Sequence, residues 1–177
     1  MIFRDLNFNK IYIAVGFLLF LSLPSCKQNS ELEKTIESLP IEVKVERFDQ
    51  AFMKIKAEQL PYFKIPYPFL FPKHIPDSVF LNRIQDPIQK MIQTSVDSVF
   101  MDFETTEKDL ISLYKHIKYY RPSLAKPRLI TVYTDVDYRN RVIVTDSIVI
   151  IGIDNYLGMD HPFYQGFYKY VKKNLKK

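Results

Sequence analysis

The sequence predicts an α+β domain behind an export signal, and three observations carry that prediction. Residues 41–48, Ile-Glu-Val-Lys-Val-Glu-Arg-Phe, alternate apolar and charged side chains, as a strand with one wet face does. Between about residues 76 and 121 the apolar residues recur at helical spacing. From residue 128 to 153, β-branched runs are broken by Asp, Asn and Ser. The expected body is one α+β domain over residues 40–177. It holds a small mixed or antiparallel sheet, with strands near 41–48, 128–134, 141–144 and 147–153, and three to four helices.

Ahead of that body, Arg4 and Lys10 form a short positive region, followed by the apolar run Ile11–Leu21. The run is short for a bilayer span, which favours a signal helix over a transmembrane one. It ends in Leu23-Pro24-Ser25-Cys26, which resembles a bacterial lipobox. The reading is a lipoprotein signal peptide over 1–25 and an acylated Cys26 as the first mature residue, held at a membrane by several acyl chains. An uncleaved signal anchor ending in a chance cysteine is the alternative. Cys26 is the single cysteine of the chain, so no disulfide framework is available. Residues 26–39 are polar and read as a tether, with a short fraying helix as the other possibility.

In the body, Asp49 is expected to cap a short helix from Gln50 to about Ala57. The segment 60–72 carries Pro61, Pro66, Pro68 and Pro72 among aromatics, and should pack as an irregular arm over the core. Pro76-Asp77 opens a helix through about Ile84. Asp86-Pro87 starts a longer one with proline in the first turn, its stripe formed by Ile88, Met91, Ile92, Val96, Val99 and Phe100. Thr105 or Thr106 caps a third, burying Leu110, Leu113, Tyr114 and Ile117, which Arg121-Pro122 ends. The run 147–153 is apolar on both faces and should be the most central of the last three strands.

The formal net charge is +5, yet five lysines fall within residues 169–177 without an acid. With that tail and the signal set aside, acids slightly outnumber bases, so the charge pattern speaks against nucleic-acid binding. Four scattered glycines make no phosphate-binding loop.

The chemistry-bearing residues are few. His74, His116 and His161 stand in no metal-ligand spacing, and there is no G-x-S-x-G elbow. Two acidic clusters remain: Asp135 and Asp137 with Asn140, and Asp154, Asn155, Asp160 and His161 after the last strand. Oxygen ligands at such spacing suit a divalent cation, but Asx residues also build turns from their own backbone, and that account is preferred. No cofactor and no catalytic residue is assigned.

Several blocks in order resemble the GldB family of gliding-motility lipoproteins: Ile41–Asp49, Pro76–Phe80, His116–Tyr120, Thr134–Tyr138, Asp146-Ser147, Ile151–Gly158 and Asp160–Gly166. The resemblance implies a lipid-anchored envelope protein of the gliding machinery, in the outer membrane or facing the periplasm from the inner one. It implies partners within that machinery, while the charge pattern speaks against nucleic acid and the lack of catalytic groups against enzymatic activity. Family members continue past the Tyr-Gln-Gly block into a mostly helical second half, so the chain is expected to be truncated. Two rivals remain: a degenerate metal-dependent hydrolase using Asp135, Asp137, Asp154 or His161, and a ligand-binding lipoprotein with Tyr67 and Phe69 in a pocket wall.

Overall fold

The computed structural model describes residues 27–41 and 43–176. The signal peptide and Cys26 lie outside those residues. The chain divides into two compact units, residues 1–40 and 41–177. In the first, the stretch expected as a tether is a helix, α1 (Lys27–Glu37), closed by a Ser38 N–H bond to the Lys34 carbonyl.

The second unit is the α+β body. Its elements run β1 (Val45–Glu46), α2 (Phe48–Phe52), α3 (Leu60–Phe63), α4 (Asp77–Gln85), α5 (Pro87–Val99), α6 (Glu104–Tyr120), β2 (Arg128–Val132), β3 (Val142–Val144), β4 (Ile148–Gly152) and α7 (Lys169–Lys172). The sheet is mixed, in the order β1-β2-β4-β3. β2 lies parallel to β1 and to β4, pairing Val45 with Leu129 and Ile130 with Ile150, and β3 returns antiparallel along β4 with Ile143 opposite Ile150.

A strand flanked on both sides and covered on both faces must be apolar throughout. β2 meets that demand most fully: Leu129, Ile130, Thr131 and Val132 are all buried. Its odd and even side chains serve different cores. Ile130 and Val132 join Phe48, Phe52, Leu60 and Phe71, whereas Leu129 packs with Val43, Val45, Tyr114 and Val149. A third cluster lies around Ile92, Val96, Ile153, Leu157 and Tyr164.

The aromatic arm packs where its composition demands. Phe48 stacks on Phe52 at 5.4 Å, and Phe63, Tyr67 and Phe71 close around Phe48 at 5.0–5.9 Å. Arg128 pins the arm to the sheet: it grips Glu46 through two bonds of 2.8 and 2.7 Å, donates to the Pro66 carbonyl, and lies over the Tyr67 ring. That hydrogen-bonded guanidinium holds the Glu46 carboxyl below the usual carboxylate range.

Several local expectations are corrected. The strand expected over 41–48 shrinks to two ladder residues, because Phe48 already turns into α2 to reach the aromatic cluster. The helix expected over 50–57 is that shorter α2, and Asp49 does not cap it: its carboxylate is buried and bonded to Arg47 and Thr131. On α5, Ile88 and Met91 are exposed while Gln89 is buried. The helix starts where expected, with Asp86 accepting from the Ile88 N–H, and Gln89 faces inward through its bond to Asp135. The N-cap of α6 is Phe103, not Thr105 or Thr106, and the Asp102 carboxylate just ahead of it accepts from the Glu104 N–H and the Thr105 hydroxyl. Leu113 on that helix is exposed.

Truncating Phe52 to Ala should lower unfolding free energy by about 3–5 kcal/mol in urea titrations, as removal of a packed core aromatic does. Tyr62→Ala, at an exposed position of the arm that packs against Phe52, should change it by less than about 0.5 kcal/mol.

Candidate functional site

Parallel strands β1, β2 and β4 end on one edge, the edge at which sheets of this kind hold ligands. The segment leaving each end brings a carboxylate: Asp49 in the first turn of α2 after β1, Asp135 in the loop after β2 and Asp154 in the 3-10 turn after β4.

Asp154 is wholly buried and organises this edge. It sits in the 3-10 turn Ile153–Asn155 that begins where β4 stops. Its carboxylate accepts from the Thr134 N–H at 3.0 Å, the Thr134 hydroxyl at 3.1 Å and the Val136 N–H at 2.6 Å. Asn155 Nδ2, equally buried, donates to Thr134 Oγ1 and to the Gly152 carbonyl. The ends of β2 and β4 are thereby tied together. A Cβ on Gly152 would come within 2.6 Å of Thr134 Cγ2, so this close approach needs glycine. Burial pushes the Asp154 carboxyl above its usual value, against the pull of the backbone N–H donors.

The tie holds a strained loop. Asp135 and Val136 both occupy left-handed backbone, at φ 58° and 61°. For L-residues that costs about 1–2 kcal/mol each, with β-branched valine at the unfavourable end. Hydrogen bonds to a charged acceptor contribute about 1.5–3 kcal/mol apiece, enough to offset it.

The strained turn aims Asp135 outward, where Oδ1 accepts from Arg83 at 2.8 Å and from Gln89 Nε2. Gln89 and Asp135 stand between two depressions. One, of about 290 Å³, lies beneath the aromatic arm and is lined by Phe48, Phe52, Leu70, Phe71, Phe80 and Arg83 among others. The other, of about 670 Å³, is bounded by Asp86, Asp137, Tyr138, Arg139, Phe163 and Phe167. Gln89 Oε1 is buried and accepts no hydrogen bond.

The structure separates the residues that the sequence grouped. Asp137 closes its own turn, accepting from the Arg139 N–H at 3.0 Å and Asn140 Nδ2 at 2.7 Å, and the Asn140 bond leads in drawing its carboxyl below the usual value. His161 Nδ1 accepts from the Phe163 N–H, its ring lies against Phe163 and Tyr164, and burial lowers its pKa. Asp160 is exposed. No group of three His, Cys, Asp or Glu side chains suited to a metal occurs among the described residues. Tyr67 and Phe69 lie beside Arg128 and are not in the cavity wall, to which the arm contributes Leu70 and Phe71. Asp49, Arg83, Gln89 and Thr134 carry no site signature in the sequence; the one hint is Arg47-x-Asp49, an ion pair at two-residue spacing.

A carboxyl whose folded pKa is raised contributes stability below its unfolded pKa and loses it as pH rises through the folded pKa. The stability of the wild type relative to Asp154→Asn should therefore fall as pH increases from about 4 toward 7, read as urea midpoints across that range.

Among known proteins, a family model described as "Gliding motility protein GldB" matches residues 29–177. No curated protein and no solved structure matches the chain. With a match over most of its length, the chain belongs to the GldB family of gliding motility proteins.

Proposed function

We propose that this protein is a lipid-anchored component of the gliding machinery, acting through protein contacts rather than catalysis. The observation that carries the non-catalytic reading is the commitment of the site's acids to the scaffold. Asp154 spends its oxygens on Thr134 and Val136, Asp137 on its own turn, and Asp135 its Oδ1 on Arg83 and Gln89. A general acid or base needs a lone pair or proton directed at a substrate, and the bonded oxygens are directed at the chain itself.

Contact surface is plentiful. β3 is an edge strand whose Val142, Ile143 and Val144 are all exposed, and Tyr119 and Tyr120 stand out from the end of α6. Apolar exposure of this kind is what a partner covers. For the anchor, support comes from the lipobox-like Leu23-Pro24-Ser25-Cys26, and acyl chains at about 0.8 kcal/mol per buried methylene hold a protein firmly. None of the described helices is long and apolar enough to cross a membrane.

The cavity beneath the aromatic arm favours a second reading, a ligand-binding lipoprotein. Its volume of about 290 Å³ lies at the small end of ligand sites, and it contains polar groups from Arg83 and Gln89. This reading requires saturable binding that Leu70→Ala or Phe71→Ala weakens.

The leading proposal is tested in a gliding bacterium deleted for the gene. Wild type should restore gliding and incorporate radiolabelled fatty acid. Cys26→Ser should take up no label, leave the membrane fraction and fail to restore motility. Equal labelling of Cys26→Ser would overturn the anchor.

A further inference from the structure

The sequence suggests that residues 169–177 are a solvated lysine tail, but the structure docks residues 169–176. α7 buries Val171, and Leu175 beyond it is wholly buried, both in the cluster with Ile153, Leu157 and Tyr164. The Leu175 carbonyl accepts from the Gly158 N–H at 3.0 Å, which fixes the far end. With its apolar side held, the segment turns a defined face outward. Tyr168 and Tyr170 are 71% and 68% exposed, their rings parallel at 5.7 Å. Lys169, Lys173 and Lys176 are exposed beside them and Lys172 is half-buried. No acid interrupts residues 169–177, and none of these four lysines has an ion-pair partner among the described residues.

We propose that this face is a second membrane contact, resting on an anionic phospholipid surface. The inference depends on the anchoring reading above, which places the chain at a bilayer. Two chemistries converge on that occupant. Tyrosine has an apolar ring and a polar tip, and it is enriched where headgroups meet acyl chains. Lysine lays its aliphatic stem along the same boundary and keeps its ammonium among the phosphates. Unpaired lysines near an anionic leaflet each strengthen binding about fivefold, within a Debye length of the surface. Buried Val171 and Leu175 supply the rigidity, so little ordering is needed on contact.

The chain contains no tryptophan, so Tyr170→Trp creates a single reporter. The full chain carrying it is mixed with vesicles of phosphatidylcholine, with or without phosphatidylglycerol, that include lipid brominated high on the acyl chain. Flotation measures attachment, and tryptophan emission measures contact at this face. Quenching should be at least about twofold stronger on the anionic vesicles, should fade with added salt, and should fall to the phosphatidylcholine level in Lys169→Gln/Lys173→Gln/Lys176→Gln. Tyr168→Trp, at the neighbouring exposed ring, should report the same.

The two readings fail differently. Flotation on both vesicles with equal emission overturns this contact and leaves the anchor standing. Flotation on anionic vesicles alone, with quenching, supports the contact and counts against the anchor. No flotation on either overturns the contact, as does quenching by a single-stranded oligonucleotide without quenching by lipid.

Discussion

A buried carboxylate fixes this fold's working edge. Asp154 has no solvent and three donors, all from the two residues Thr134 and Val136 on the neighbouring strand's exit loop. Desolvating a carboxylate is costly, so the arrangement persists only while those donors remain in place. The requirement runs both ways, because the carboxylate in turn holds Val136, in left-handed backbone, through its N–H. Gly152 and Asn155 complete the closure, one by having no Cβ and the other by bonding Thr134.

From that edge the rest follows by packing. The strained turn carries Asp135 to Arg83 and Gln89 on α4 and α5, which joins the helical pair to the sheet through polar bonds as well as apolar ones. At the opposite end of β2, Arg128 does the same for the aromatic arm through Glu46 and the Pro66 carbonyl. Both ends of the central strand are thus clamped by charge-assisted bonds, which are stronger and more directional than neutral ones. The exposed surfaces of this body include the β3 edge and the Tyr168–Tyr170 face.

Much of the architecture was legible from periodicity. β2 and β4 are recognisable as β-branched runs, the first two long helices from their proline and Asp starts, and the third from its apolar spacing and the Arg121-Pro122 stop, because these signals are local. The first strand was misjudged in length because alternation over 41–48 looks the same whether eight residues or two join a ladder; tertiary burial of Phe48 decided it. At the site, Asp154 stands in one of the sequence's acidic clusters, but its role depends on a partner twenty residues earlier in the chain, and spacing along the sequence does not reveal such a pairing. Gln89 carried no signal at all. It lies on a helix where polar residues normally face water, and only the turn at Asp135 draws it inward. Asp160 and His161 looked like a cluster with Asp154, but the chain turns away at Gly158.

The central claim, that these carboxylates build a scaffold and perform no chemistry, meets its most direct test at Asp135 and Asp137, which can each be changed to Asn with the turn geometry kept. Gliding speed of the deletion strain restored with Asp135→Asn or Asp137→Asn should match wild type at equal protein level, since asparagine tolerates left-handed backbone and caps turns as aspartate does. A variant that accumulates normally, unfolds at the wild-type urea midpoint and yet leaves the cells immobile would contradict the account.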